Sequence, residues 1–542
     1  VATILLVSEA SLLDGRSGVA RSISEMLQAL SAVGHECHAV TMSTFEAGDK
    51  EPVPDDLANA PQQTVSLLRD GIPQTIYRTA SRNIRALSDA ELAGFMRLAL
   101  DEVRRLRPDI VLIHSASGLW PVLRYARLQG AVTAVYLANT GWTERDGTEI
   151  HHIDRFIAPS QALATYFCEK TGVAQDRVKV IRDIITPLME APLPSERASG
   201  RADRFITMID PQPGKGGGFL LHLAAHAMRR APNLRFMVVE GRWGRADWAA
   251  GGLRIGDLDN ISWLPAPANM ATIYRHSALL LMPSLQFEAG GRRATEALQC
   301  GVPVLAMDTG ALAEAIDGGG FLFDCPAELA SNPLAVPSSF LADKWLHLIK
   351  TLMRDDAQYG AAVERALNAG ARASLRRRRN AAAAAFDELL EDRAVSDHPV
   401  ATSEERGVRD HPSVIEAVRL LKDGGGEQAR TILEAHVRTA PQDAGATLLL
   451  ADLIARQGDL WVAYALAHQA NDLAPSTDES RAAVVHFAGL LEAWEGSIAA
   501  GDGAPDRQAR LASTLNAIGA AEAAPNTPYE APETPRHNEG RT

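Results

Sequence analysis

Short β-branched runs separated by helix-like segments fill the first 390 residues, and this rhythm starts twice. The first series is ATILLVS, CHAVTM, PDIVLIH, AVTAVYLA, RFIAPS and VKVIRD, with GVARSISEMLQALSAVGH as the first helix-like segment between them. A stretch rich in Pro, Glu and Ser, from Pro187 to Gly200, interrupts it. The second series then runs RFITMID, LRFMVVEG, ISWLP, ALLLMPS and VPVLAM. Strands joined through helices lie parallel, because a parallel neighbour needs a long crossover rather than a tight turn. The pattern therefore predicts an α/β chain with two doubly wound domains in tandem, over residues 1–190 and 200–395.

Beyond 340 the character changes. An alanine- and arginine-rich helical stretch closes the second domain, and SDHPVATSEERGVRDHP reads as a linker over 396–411. In the segment 412–498, QARTILEAHVRTAP ends at Pro441 and VAYALAHQANDLAP ends at Pro475, 34 residues later. That is the tetratricopeptide period, in which paired helices pack through small residues and a proline ends the second. A helical array with no partner is the plain alternative to a docking surface for a protein or a second copy of the chain. The Pro/Glu/Thr-rich stretch over 499–542 reads as a disordered tail.

Composition excludes several classes. A formal net charge of -13 opposes a general nucleic-acid binder, whose affinity for a polyanion needs a basic surface. Cys37, Cys168, Cys300 and Cys325 form no CxxC pair, so neither a zinc site nor a disulfide framework is expected, and a reducing cytoplasm fits. The apolar start VATILLVSEASLL lacks the basic flank of a signal peptide. No apolar run reaches the roughly 20 residues that span a bilayer, which leaves peripheral contact at the inner membrane as the membrane option. The run Arg376 to Arg379 could face lipid, although four residues on one helix read more simply as a solvated face.

Chemistry concentrates in FEAGGRRATEALQCGVPVL, where Glu288 and Glu296 flank Gly290, Gly291 and Arg292. The segment follows the strand ALLLMPS and so lies where open parallel sheets bind ligands. Free amides at a helix start and two glycines suit a close-lying anion. With the helix starting at Gly290, the two acids would stand roughly 12 Å apart, the reach of a nucleotide diphosphate sugar. Carboxylates suit vicinal diols because they accept two hydrogen bonds. Spacing alone is equally met by a solvated helix start.

The longer window PSLQFEAGGRRATEALQCGVPVLAMDTGALAEAI resembles the donor site of glycosyltransferase family 4: Glu288 and Glu296 with seven residues between, Ala297, Gly301-Val302-Pro303-Val304, and more loosely Gly310 to Glu314. IDPQPGKGGGFLLHL resembles the family's phosphate loop, with Gly214 and Lys215, and LLDGRSGVARSI resembles its N-terminal glycine loop, with Gly15 and Gly18. This likeness implies the GT-B fold, in which two Rossmann-like domains face a cleft, and a retaining, metal-independent transfer from a UDP- or GDP-linked sugar to a glycan, lipid-linked glycan or protein hydroxyl, without a cofactor.

Carried over by motif, Lys215, Arg292 and the Gly290–Gly291 amides would neutralise the leaving diphosphate, Glu296 would hold the ribose and Glu288 the sugar. Two positions depart from the family pattern. Asp210 stands where an arginine is usual, with Arg292 as the nearest replacement and Arg242 read as a surface residue. Asn139 or Thr140 stands near the place of a histidine, while His114 ends another strand on the acceptor side. These departures keep two alternatives open, a catalytically weak scaffold that recruits a partner through its helical repeats and a sugar-nucleotide epimerase.

Overall fold

The computed structural model describes residues 1–46, 48, 55–58, 62–114, 118–141, 150, 153–251, 258–267, 269–396 and 411–499. The tail expected over 499–542 and most of the linker over 396–411 lie outside the described residues. The chain divides into two units, residues 1–87 with 94–402, and residues 88–93 with 403–542.

In the first unit, β1 (Thr3–Ala10) pairs in parallel with β2 (Glu36–Thr44) and β5 (Ile110–His114), Leu5 lying opposite His38 on one side and Val111 on the other. The sheet has eight strands in the order β3-β4-β2-β1-β5-β6-β7-β8, with β3 (Thr64–Arg69), β4 (Ile72–Tyr77), β6 (Val132–Tyr136), β7 (Arg155–Ala158) and β8 (Val178–Val180). Central strands read as continuous apolar runs because helices cover both faces.

The β3–β4 pair is antiparallel and escaped the sequence reading. Its signal is Asp70-Gly71 between alternating runs, and both residues have positive φ (51° and 79°), as a tight two-residue hairpin requires.

The second sheet is parallel throughout, in the order β11-β10-β9-β12-β13-β14, with β9 (Phe205–Ile209), β10 (Phe236–Val239), β11 (Ile261–Leu264), β12 (Ser277–Met282), β13 (Val304–Met307) and β14 (Gly320–Phe323). The order reverses between β9 and β12, and their carboxyl ends frame the crevice where such sheets take ligands.

Five helices position the site. They are α1 (Gly18–Ala32) after β1, α2 (Gln161–Thr171) after β7, α3 (Gly217–Arg230) after β9, α4 (Arg292–Gln299) after β12, and α5 (Asp356–Arg372) behind α4. α4 and α5 approach closely at Gly370, where an added Cβ would lie 2.7 Å from the backbone N and Cα of Gln299. Gly370→Ala is therefore expected to force the helices apart and destabilise the module by about 1–3 kcal/mol. Urea unfolding checks this, and an unchanged midpoint would refute the tight seating of α4.

The arginine-rich helix α6 (Leu375–Ser396) crosses back to the first sheet, where Ala382, Phe386 and Leu389 join its core. Residues at the end of the second domain in sequence thus close the first.

The second unit contains helices α7 (Pro412–Lys422), α8 (Gly426–Thr439), α9 (Ala444–Arg456), α10 (Leu460–Leu473) and α11 (Asp478–Ala499), each packed on its neighbour. α8 starts at 426 and α10 at 460, which reproduces the 34-residue period in three dimensions. Asp443 caps α9 through the Ala446 amide and also bonds His436 at 2.9 Å, tying α8 to α9. Among the described residues no helix is long and apolar enough to cross a membrane.

Candidate functional site: a cleft between the two parallel sheets

Lys215 owes its position to a glycine. After β9 the chain turns through Pro213–Lys215 into Gly216, whose φ of +82° and lack of a Cβ are both needed: a Cβ there would lie 2.0 Å from the Pro283 carbonyl oxygen. The Gly214 carbonyl accepts from the Leu285 and Gln286 amides at 2.8 and 3.1 Å, stitching this loop to the one after β12. Lys215 Nζ consequently stands 3.7 Å from Glu288 Oε1, and that oxygen also accepts from Ser284 Oγ at 2.7 Å. The lysine side chain is about one-third exposed (32%) and the glutamate less so (14%), so the pair is partly open to solvent. Gly216→Ala would strain this turn and displace Lys215, and a weakened response to every nucleotide tested below is the expected result.

Gly290 and Gly291 precede the helix rather than starting it, since α4 begins at Arg292 with Gly291 as its cap. The amides of its first turn have no intrahelical acceptor. A Cβ on Gly290 would lie 3.1 Å from Asp183 Oδ2, and one on Gly291 only 2.1 Å from the Ala315 Cβ. Around them runs a narrow cleft with walls from both domains, including Pro159, Ser160, Asp183 and Arg378. Ser160 Oγ donates to the Ala289 carbonyl at 2.6 Å, and Glu314 accepts from the Gln161 amide at the start of α2, at 2.9 and 3.1 Å.

Glu296 and Arg292, which the motif assigns to the donor, each bind other side chains of the protein. The Glu296 carboxylate is fully buried, accepting from Tyr274 OH (2.9 Å), Arg293 Nη1 (2.8 Å) and Arg292 Nε (3.1 Å), with Arg21 Nη1 at 3.6 Å. Burial alone would raise its pKa, but the charges of Arg293, Arg292 and Arg21 outweigh that and hold it below the usual carboxylate range. Without a donor the Glu296 carboxylate is thus held by an internal arginine cluster.

Arg292 directs Nη1 and Nη2 to the two oxygens of Glu25 on α1, at 2.6 and 3.0 Å, instead of towards Lys215. Burial disfavours its charge, yet the bonds to Glu25 and the field of Glu296 raise its pKa above the ordinary value.

In the first α/β domain, Gly15 and Gly18 are exposed, with open space where a Cβ would stand. Asp14, buried, shapes their loop by accepting from the Arg16 and Ser17 amides (3.0 Å each) and the Glu46 amide (2.7 Å). Arg242, read as a surface residue, pairs with Glu46 across the cleft.

Asp210 has φ +55° and keeps its carboxylate within its own loops, accepting from Gln212 Nε2 (2.6 Å) and the Arg242 amide (2.9 Å). Asn139 is exposed and accepts from the Gly141 amide at 2.8 Å, beside Thr140. His114 lies 3.2 Å from Ser8 Oγ, and burial pushes its pKa down to about 4, so it is neutral at pH 7.

The structure thus gathers Gly214, Lys215, Glu288, Gly290 and Gly291 at the strand ends of the second α/β domain. The sequence reading missed Asp14, Arg21, Glu25, Ser160, Asp183 and Tyr274. Only Arg21 and Glu25 carried a local signal, as opposite charges four residues apart just after a glycine loop.

Two parallel α/β sheets sharing a cleft, with a lysine–carboxylate pair at the switch point of the second, define a protein of the GT-B class. Glycosyltransferase Family 4 matches residues 16–186, and Glycosyl transferases group 1 matches residues 205–336. Through these segments, together more than half of its length, the chain belongs to the family 4 glycosyltransferases.

Its relatives include D-inositol 3-phosphate glycosyltransferases of Segniliparus rotundus (28% identical, over 52% of this chain and 62% of the relative) and Rhodococcus erythropolis (30%, over 42% and 60%). The chain spans between 49% and 62% of the length of the first three such relatives. Similar solved structures are sucrose-phosphate synthase from Thermosynechococcus elongatus (TM-score 0.54, 16% identity, 73% of this chain and 100% of that one) and Anabaena HepE in complex with UDP-glucose (0.53, 18%, 72% and 100%). At these identities they speak for the fold alone.

Proposed function

We propose that the cleft transfers a glycosyl group from a nucleotide diphosphate sugar to an acceptor hydroxyl with retention at the anomeric carbon. The observation that carries this reading is the Lys215–Glu288 pair, 3.7 Å apart at the carboxyl ends of β9 and β12. A diphosphate entering beside Lys215 competes with Glu288 for the ammonium and frees the carboxylate to accept from sugar hydroxyls. Uridine is the first base to test, because HepE is solved with UDP-glucose.

In the proposed step the anomeric carbon–oxygen bond to the diphosphate breaks and its electron pair goes to the leaving phosphate. The acceptor oxygen then bonds to that carbon on the same face, and its proton passes to a phosphate oxygen. Lys215 and the Gly290–Gly291 amides stabilise the charge developing on the leaving group, and the glycine loop at Gly15 and Gly18 covers the donor from the other domain. The acceptor is a hydroxyl-bearing glycan, lipid-linked glycan or protein, and the helical repeats would recruit it or a second copy of the chain.

A thermal-shift screen against UDP, GDP and dTDP and their sugars, followed by a donor-hydrolysis assay, tests this. A shift with one base that is lost in Lys215→Ala supports the reading, and no shift with any nucleotide refutes it. The scaffold reading draws on the Asp210 carboxylate standing where a second cation is usual, and it predicts nucleotide binding without turnover.

A further inference from the structure

We infer that Arg292 and Glu25 form a clamp between the two α/β domains, with Arg292 as a positioning residue that ties domain closure to the donor side of the cleft. The chemistry of the pair favours a joint over incidental surface pairing. Arg292 uses all three of its nitrogens: Nη1 and Nη2 hold Glu25 of the first domain at 2.6 and 3.0 Å, and Nε holds Glu296 of the second at 3.1 Å. A planar guanidinium satisfies two carboxylates in this way, and an ammonium cannot. Both side chains are largely enclosed, at 8% and 14% exposure, so salt screens them little.

The clamp is crossed by a second contact of opposite polarity, Arg21 of α1 reaching Glu296 of α4 at 3.6 Å. Arg21 and Glu25 lie four residues apart and therefore on one face of α1. Each charge of that face meets its opposite on α4, a complementarity that fixes the register of the two helices.

What the clamp positions follows from the two chain segments. α1 begins at Gly18, so holding its second turn against α4 seats the glycine loop over the cleft. α4 begins directly after Gly290 and Gly291, so the same bond holds these amides opposite that loop. The more exposed Arg242–Glu46 pair also crosses the cleft but, at 51% exposure for the arginine, is open to screening. Loss of the Arg292–Glu25 bond should therefore depopulate the closed arrangement, and apparent affinity falls by the fraction of closed molecules lost.

This inference rests on the reading of the cleft as a nucleotide-sugar site only for its binding arm. Hydrogen exchange of the full chain, read by mass spectrometry, compares the native protein with Glu25→Gln, Arg292→Lys and the control Arg242→Ala. The clamp predicts faster exchange on both sides of the cleft, in residues 15–25 and 287–295, for each of the first two variants and neither region for the control. It also predicts a UDP Kd raised about five- to tenfold, the lower end of ordinary coupling between sites. Faster exchange confined to the mutated helix, or an unchanged UDP Kd in both variants, overturns the clamp. If the native protein binds another nucleotide of the screen instead of UDP, the Kd arm is run with that one; if it binds none, the donor reading falls while the two-sided exchange pattern still decides the clamp.

Discussion

Lys215→Ala is expected to lower kcat/KM for glycosyl transfer by about 10²- to 10³-fold, the loss typical of removing one group that stabilises a developing negative charge. The side chain is about one-third exposed and, among the described residues, its ion pair is the 3.7 Å contact with Glu288. A partly exposed pair at this distance contributes little to folding, so the midpoint of unfolding should move by no more than a surface substitution does, within about 0.5 kcal/mol. The combination of a large catalytic loss with unchanged stability separates a site lysine from a structural one.

Lys215→Arg sharpens the test. It keeps the charge but exchanges a compact ammonium for a planar fork, and partial activity is the expected result. Steady-state kinetics with the donor identified by the thermal-shift screen provide the measurement. A loss below tenfold in Lys215→Ala would move the diphosphate away from this loop.

The fold was readable from periodicity because each central strand is an unbroken apolar run and each crossover a helix. The β3–β4 hairpin was lost because its strands are half-exposed and mixed in character, although the Asp70-Gly71 turn announced it. The placement of the loops after β9 and β12 was readable for a different reason. Gly214, Lys215, Glu288, Gly290 and Gly291 lie in segments that directly follow strands of one sheet, and the sheet brings strand ends together without further information.

What sequence could not convey was the choice of partner. Glu296 follows Glu288 by eight residues in the motif, but Arg21 comes from the other domain and Tyr274 from the short helix Ala271–His276 before β12, so the full set of partners around its carboxylate is decided by packing at long sequence separation. Arg292 illustrates the same limit. A cation beside two glycines reads locally as a phosphate ligand, and nothing local announces its bond to Glu25, 267 residues away.

Glu296→Gln is expected to destabilise the first unit by about 3–5 kcal/mol, the cost of leaving buried charge uncompensated. The substitution preserves shape and one acceptor while removing the charge that Arg21, Arg292 and Arg293 share. Among the described residues, Arg292 alone of these three guanidiniums keeps a second ion pair, with Glu25. Arg21 is the weakest point, since burial and the nearby charge of Arg292 already lower its pKa. Urea unfolding, with the slope unchanged, measures the effect. Glu288→Gln, at the open end of the same motif, should stay within about 0.5 kcal/mol of the native protein.

The pH dependence follows with a definite sign. The folded pKa of Glu296 is depressed, so its contribution is complete above the unfolded value near 4.5 and is lost as pH falls through the folded value. The native protein should therefore lose more stability than Glu296→Gln on acidification below that point. If Glu296→Gln instead leaves stability and its pH profile unchanged while weakening nucleotide binding, the carboxylate faces the ribose after all, and the arginines around it belong to the donor.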